Sequence, residues 1–172
     1  MIAESGPSRN TEEIFSQMVA AYQQSLLRMC RMYLRDPMAA EDAVQETFLK
    51  ACRALPKFRG ECSEKTWLMR IAMNVCRDMT KSACFRHTDR RVTPEELPLA
   101  APQKEPDENE ALAQAILRLP RKQKDVLLLY YYQDMSQDEV AQALNTSSST
   151  ISKRLKQARE TLRSFLERGA EP

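Results

Sequence analysis

The chain has 172 residues, 42% hydrophobic and 29% charged, a composition that fits a globular protein and excludes disordered, collagenous and membrane-bundle classes. Lys and Arg number 26 against 24 Asp and Glu, so the net charge of +2 excludes no class of partner. Only three glycines occur, so tight hairpins and a glycine-rich phosphate loop are not expected, and an all-α fold is predicted.

Residues 1–81 are predicted to form a small domain of three helices. Apolar residues at helical spacing place the first helix at Glu12 to Leu34. The second begins after Asp36-Pro37 and ends at Pro56, and the third runs from about Lys65 to Lys81. Three helices joined by short loops make a bundle. The third helix has a face separate from its inward stripe, formed by Arg70, Met73, Asn74 and Arg77.

Residues 82–107 are predicted to form a flexible linker between two domains. Helical periodicity disappears there, and prolines at positions 94, 98, 102 and 106 lie among charged residues. A segment of this composition cannot bury enough apolar surface to fold alone.

Residues 108–172 are predicted to form a second helical domain. Two helices, Glu108 to Leu119 and Arg121 to Tyr132, are separated by Pro120. The second of them carries the densest apolar stretch of the chain and is expected to supply the core.

A helix-turn-helix is predicted at the end of this second domain. Ser136 and Glu139 have the spacing of a capping box that opens a short helix ending at Leu144. Asn145 occupies the turn, where its tolerance of positive φ is useful, and Ser147 is the expected N-cap of a long last helix. A short capped helix, a tight turn and a longer helix with a polar outer face make the pattern that reads DNA.

The first turns of the last helix are the predicted DNA-binding surface. Five basic residues and one acidic residue lie between Asn145 and Arg163. An α-helix fits the major groove, where hydroxyls and cations meet phosphates and base edges, although a solvated helix face would have similar polarity. The candidate residues are Ser148, Ser149, Thr150, Ser152, Lys153, Arg154 and Lys156.

A second basic surface is predicted from the third helix onward. Seven basic and two acidic residues lie between Lys65 and Arg91. Phe58 and Trp67 are near enough to stack on unpaired bases, although the inward position of Trp67 makes it a core residue first. At the start of the second helix, by contrast, acidic residues repel DNA and suit a basic protein partner, while the helix dipole also favours the first two of them. They are Glu41, Asp42 and Glu46.

The cysteines and the single histidine, His87, give no indication of a metal or a cofactor. Cysteines occur at 30, 52, 62, 76 and 84, without a Cys-x-x-Cys pair. Their odd number disfavours a disulfide framework, and we expect reduced thiols that pack as small apolar side chains. Redox sensing through Cys62 or Cys84 is the alternative.

Neither a membrane span nor a secretory signal is expected. The longest unbroken apolar run, Val126 to Tyr132, has seven residues, whereas a bilayer needs about 20. The first ten residues lack the basic and apolar regions of a signal peptide. We therefore expect a cytoplasmic protein with no direct membrane insertion.

The chain resembles an extracytoplasmic-function (ECF) sigma factor of the bacterial sigma-seventy family. Residues Ala40 to Phe48 resemble the segment that docks on the clamp of the polymerase beta-prime subunit. Residues Phe58 to Asn74 resemble the segment that melts and reads the minus-ten element, and Leu119 to Arg159 resemble the domain that reads the minus-thirty-five element. Ser152 stands where the family usually has a basic residue, so the base preference of relatives cannot be transferred.

The resemblance implies a factor that directs core RNA polymerase to specific promoters and aids promoter melting. Residues 1–81 would be the region-2-like domain and residues 108–172 the region-4-like domain. The implied partners are core RNA polymerase, through its beta-prime clamp and its beta subunit, promoter DNA and an anti-sigma factor. The implied polymerase-binding residues are Glu41, Asp42, Gln45, Glu46 and Phe48. The implied minus-ten-binding residues are Arg59, Lys65, Arg70, Asn74, Arg77 and Lys81.

Two other functions fit parts of the sequence. A free-standing helix-turn-helix repressor or activator explains Ser136 to Arg163 but leaves the first domain unused. A redox-responsive adaptor built around the cysteines would bind a protein and no promoter. An enzyme is not expected, because no residues have the spacing of a nucleophile with its base or of a metal-ligand set.

Overall fold

The computed structural model describes the backbone of residues 9–89 and 108–169, and the regular elements in these two ranges are all helical. Three helices form the N-terminal bundle: α1 (Arg9–Leu34), α2 (Pro37–Ala54) and α3 (Glu64–Asp89). A short 3₁₀ turn, Leu55–Lys57, follows α2. The predicted all-α fold is confirmed.

The N-terminal bundle forms because each helix buries an apolar stripe between well-defined ends. Asp36 caps α2, its Oδ1 accepting a hydrogen bond of 2.9 Å from the Met38 amide, and Pro37 begins the helix. Ser63 does the same for α3, its Oγ accepting from the Thr66 amide at 3.1 Å. The large apolar side chains that are fully buried in this bundle include Met18, Leu26, Met29, Leu68 and Met69.

The observed α3 differs from the predicted third helix in two ways. It continues to Asp89, so residues 82–89 of the predicted linker are helical, whereas residues 90–107 lie outside the described ranges. No proline or glycine occurs between residues 82 and 89, and nothing in that segment ends a helix. Met73, expected away from the inward stripe, is fully buried because a second group of helices covers its face.

Four helices form the C-terminal bundle: α4 (Glu108–Arg118), α5 (Arg121–Leu127), α6 (Gln137–Leu144) and α7 (Ser148–Gly169). The predicted helix to Tyr132 is present, but its last part, Leu128–Tyr132, is a π-helical turn. The fully buried side chains at its centre include Ile116, Leu128, Leu129, Ile151 and Leu155.

The predicted helix-turn-helix is confirmed in its local geometry. Ser136 Oγ accepts from the Glu139 amide at 3.2 Å, and Glu139 Oε2 accepts from the Ser136 amide at 2.8 Å. Asn145 has φ 51°, and the Ser147 hydroxyl accepts from the Thr150 amide at 3.3 Å. Because both helix starts are capped by side chains, the turn fixes the direction of α7 relative to α6.

Candidate nucleic-acid and protein interfaces

The outer face of α7 carries the candidate minus-thirty-five residues. Four of the seven are exposed, and these are Ser149, Ser152, Lys153 and Lys156. The other three, Ser148, Thr150 and Arg154, are half-buried. Ile151 and Leu155 lie on the opposite, buried side of the helix. Packing of that side leaves hydroxyl and ammonium groups directed to solvent, where DNA can approach them.

Hydroxyl groups at the start of α7 are partly engaged within the protein. Ser148 donates to the Asp138 carboxylate of α6, and the Ser147 and Thr150 hydroxyls lie 2.8 Å apart. These contacts position the first turn of α7. The more exposed Ser152, Lys153 and Lys156 are therefore better placed for direct DNA contact than Ser148 or Thr150.

An aromatic pocket lies where the loop before α3 meets the helix. The rings of Phe58 and Trp67 stack with centroids 4.7 Å apart and planes inclined by 28°. Trp67 is half-buried and packs against the core, so it is both a core residue and part of the pocket wall. The other residues lining the pocket include Arg59, Cys62, Arg70 and Gln142. Two flat rings and two guanidinium groups suit a nucleic-acid base and its phosphate.

The six candidate minus-ten residues fall into two groups. Arg59, Asn74 and Lys81 are exposed. The remaining three contact the C-terminal bundle: Lys65 donates to the backbone carbonyl of Gln133, and Arg70 donates to that of Gln142 at 2.7 Å.

The third of these contacts is an ion pair. Arg77 donates from Nη2 and Nε to Asp125 Oδ2 at 2.7 and 3.1 Å. Asp125 belongs to α5 and is 1% exposed. We call Arg77 and Asp125 the interdomain ion pair.

Around this ion pair the electrostatic environment is unusual. Burial, and then the neighbouring Asp125 carboxylate, raises the pKa of Tyr33 well above its usual range. The ammonium group of Lys124 lies 4.4 Å from the centroid of the Tyr33 ring, and burial lowers the pKa of Lys124. The contact between the bundles therefore contains charged groups withdrawn from water.

The outer face of α2 holds the candidate polymerase-binding residues. Glu41, Asp42 and Gln45 are exposed, and Glu46 lies 3.7 Å from Lys50 one turn later. Phe48 is 8% exposed, and its ring packs edge-on against Phe15 with centroids 6.2 Å apart.

Sequence reasoning missed two apolar residues on the same helix. Met38 is 76% exposed and Leu49 is 53% exposed. They are spaced with Glu41, Asp42 and Gln45 at intervals of three or four residues, which places all five on one side of α2. The resulting surface, acidic with an apolar residue at either end, has the character of a protein-binding face. Their exposure could not be read from the apolar pattern, which assigns such residues to a core.

The cysteines differ in accessibility. Cys30 and Cys76 are fully buried with their sulfur atoms 3.7 Å apart. The hydrogen bond to Cys30 and burial both raise the pKa of the Cys76 thiol well above its usual range. Cys62, one of the two proposed redox sites, is half-buried at the aromatic pocket, whereas the side chain of Cys84 lies outside the described part of the chain.

Within residues 9–89 and 108–169, no helix has the length and apolarity to cross a membrane. No group of three or more histidine, cysteine or acidic residues in these ranges could hold a metal ion.

Both bundles match models of known protein families. Family models for sigma-70 region 2 and sigma-70 region 4 match residues 18–84 and 109–162. The RNA polymerase sigma-H factor of Pseudomonas aeruginosa is 30% identical over 167 residues, covering 90% of this chain and 86% of that protein. The ECF RNA polymerase sigma factor SigW of Bacillus subtilis is 28% identical, covering 92% of this chain and 91% of that protein.

Two solved structures share the fold. The sigma factor RpoE, in complex with the anti-sigma factor NepR from Bartonella quintana, matches with a TM-score of 0.75 at 22% identity, over 90% of this chain and 98% of that one. CnrH, in complex with the cytosolic domain of CnrY, matches with a TM-score of 0.69 at 24% identity, over 91% of this chain and 89% of that one.

Proposed function

Because this chain belongs to the sigma-70 family, as an ECF-type factor that directs RNA polymerase to promoters, we propose separate roles for its three surfaces. The α2 face holds core polymerase, α3 with its preceding loop engages the minus-ten element, and α7 reads the minus-thirty-five element. The observation that carries this assignment is the presence of basic faces on two different bundles, α3 and α7, with an acidic face on α2. A free-standing regulator would not explain why residues 18–84 match sigma-70 region 2.

For α7, the proposal places its exposed face in the major groove of the minus-thirty-five duplex. Lys153 and Lys156 are exposed cations, and Ser149 and Ser152 are exposed hydroxyls. Cations supply affinity through phosphates, whereas hydroxyls can contact phosphates or base edges. The side chain of half-buried Arg154 is long enough to contact either a phosphate or a base edge.

For the aromatic pocket, the proposed ligand is a base of the melted minus-ten strand. Removing a base from the stack costs a few kcal/mol, so the pocket must return that free energy through stacking and phosphate contacts. The stacked Phe58 and Trp67 supply the apolar wall, and Arg59 supplies an exposed cation beside it.

For α2, the proposed partner is the clamp of the polymerase beta-prime subunit. Glu41, Asp42 and Gln45 give an exposed acidic and polar strip, and Met38 and Leu49 give it apolar ends. Phe48 acts from inside the bundle by holding α2 in place. The beta subunit is proposed as a further contact of the chain on core polymerase.

An anti-sigma factor is proposed as a further partner. RpoE and CnrH, which share the fold, were both solved as complexes, RpoE with the anti-sigma factor NepR and CnrH with the cytosolic domain of CnrY. A factor that works on polymerase acts in the bacterial cytoplasm, and this chain is proposed to act there as an initiation factor without catalytic chemistry of its own.

The pocket assignment can be tested with a fluorescent base analogue. Holoenzyme is formed with wild-type protein, Arg59→Ala or the control Arg53→Ala, which removes an exposed arginine at the end of α2. A promoter obtained by mapping RNA starts carries 2-aminopurine in its minus-ten element. Arg59→Ala is expected to reduce the fluorescence rise on opening several-fold, because the flipped base loses a cation, while Arg53→Ala behaves as wild type. Equal fluorescence in all three would remove Arg59 from the pocket's function.

A further inference from the structure

Three of the proposed minus-ten residues are occupied by the protein itself. Lys65 and Arg70 donate to backbone carbonyls of the C-terminal bundle, and Arg77 forms the interdomain ion pair. Met73 lies between the two arginines on the same face of α3 and is fully buried. This face is therefore covered by the C-terminal bundle along about three turns of helix.

The covering groups resemble what DNA would present to the same cations. Arg77 meets a carboxylate oxygen, and Lys65 and Arg70 meet carbonyl oxygens. Phosphate oxygens are acceptors of the same kind, and arginine binds carboxylate and phosphate with similar geometry. The N–H groups held by Asp125, Gln133 and Gln142 are not free to bind DNA.

We propose that the C-terminal bundle blocks the minus-ten face of α3 in the protein without polymerase, and that this closed arrangement requires an intact interdomain ion pair. The inference rests on the proposed DNA-binding role of α3. Opening of the two bundles then precedes capture of the minus-ten strand. Gln142 also lines the aromatic pocket beside Arg70, so the same movement removes one wall of that pocket.

The composition of the contact suits a reversible closure. Besides the ion pair, Gln133 Nε2 donates to the Ser25 carbonyl at 2.9 Å, and Lys124 lies over Tyr33. Polar contacts between domains can be exchanged for water when the domains separate. A buried ion pair adds little net stability, because the desolvation of both charges offsets their attraction.

The first test measures opening without DNA or polymerase. Asp125→Asn keeps the shape of the side chain but removes the charge that neutralises Arg77 in the contact. The control, Glu167→Gln, removes one negative charge from an exposed position near the end of α7. Asp125→Asn is expected to give a larger radius of gyration by small-angle X-ray scattering and a red-shifted emission from Trp67, the single tryptophan, while Glu167→Gln matches wild type.

If Asp125→Asn does not fold, Arg77→Gln serves as the second variant. It breaks the same ion pair by changing the residue that the N-terminal bundle contributes. Circular dichroism establishes that each variant retains its helices. If Asp125→Asn and Arg77→Gln both fold and both keep the wild-type radius of gyration and Trp67 emission, the proposal that the closed arrangement requires the ion pair is overturned.

The second test measures access to α3. A fluorescently labelled single-stranded DNA pool of random sequence is titrated with wild type, Asp125→Asn and Glu167→Gln at one salt concentration. Asp125→Asn is expected to bind about tenfold more tightly than Glu167→Gln, the size of effect that losing a charge-assisted hydrogen bond has on an equilibrium. Equal affinity in an opened Asp125→Asn variant would overturn the proposed blocking of α3. A wild-type protein that does not initiate transcription with polymerase would instead contradict the proposed function, and the scattering result would stand independently.

Discussion

Arg77 on α3 and Asp125 on α5 are 48 residues apart in the chain, yet two nitrogens of the guanidinium group donate to one buried carboxylate oxygen at 2.7 and 3.1 Å. The ion pair joins the bundle matched by sigma-70 region 2 to the bundle matched by region 4. Since Arg77 is also a proposed DNA contact, closure and promoter opening compete for one side chain.

Charge reversal on the α2 face should weaken the binding of core polymerase. Asp42→Lys is expected to reduce affinity about tenfold or more, because a like charge then faces a basic partner. Its exposed position predicts little change in stability. The matched control is Glu13→Lys, which reverses an exposed acid on α1. Competition with a labelled sigma factor for core gives the affinities, and identical values for the two variants would remove Asp42 from the interface.

Removing the Lys153 ammonium group should weaken binding of the minus-thirty-five duplex. If the contact is to phosphate, Lys153→Ala in holoenzyme lowers affinity on all promoters and reduces the slope of log K against log salt by about 1. If it is to a base, selectivity at one position is relaxed. Arg163→Ala, an exposed change farther along α7, is the control. A salt series between 50 and 200 mM distinguishes the two cases, and unchanged binding and selectivity would exclude Lys153 from the DNA face.

The capping box should contribute measurably to stability. Ser136→Ala removes the hydroxyl that accepts from the Glu139 amide and is expected to lower the free energy of unfolding by about 1 kcal/mol. Ser152→Ala makes the same chemical change within a helix and should be neutral or slightly stabilising, because alanine favours helices. Urea unfolding followed by circular dichroism compares the two. A neutral Ser136→Ala would show that the cap does not support α6.

Stability should decline in alkaline solution because of the buried thiol pair. The hydrogen bond to Cys30 and burial raise the pKa of Cys76 above its usual value of 9.0, so the folded state keeps a proton that the unfolded state releases. The stabilisation is therefore complete below about pH 9 and is lost as pH rises further, by at most about 1.4 kcal/mol per pH unit for one group. Burial also raises the pKa of Tyr33 above its usual value of 10.0, so Tyr33 adds a similar loss of stability above about pH 10.

Comparison of Cys76→Ala with wild type isolates the thiol in this alkaline decline. Urea unfolding at about pH 8 and pH 10.5 should show a smaller decline in the variant, even though the lost sulfur lowers its stability at both pH values. The same decline in both proteins would show that Cys76 does not ionise on unfolding in this range.

Local structure was predictable from the sequence where neighbouring residues determine it. Ser136 and Glu139 form their capping box because the two partners are three residues apart, and Asn145 takes positive φ because the turn between two helices requires it. The apolar stripe of α7 was equally clear, since Ile151 and Leu155 repeat at helical spacing.

Contacts between distant segments were not predictable in this way. The pairing of Arg77 with Asp125 depends on how two bundles dock, and no periodicity within either bundle records it. For the same reason the sequence pattern puts Met73 on a face separate from the inward stripe, although the residue is fully buried. Phe48 is among the predicted polymerase-binding residues because it belongs to the motif that resembles the polymerase-docking segment, but its ring packs inside the bundle against Phe15.

Transcription in vitro tests the central claim most directly. Core polymerase is supplied with fragmented genomic DNA from the organism that encodes the chain, with and without this protein, and the RNA starts are mapped. We predict new starts preceded by two shared elements near minus ten and minus thirty-five. Core that initiates normally with a housekeeping sigma factor but gives no new starts with this protein would contradict it.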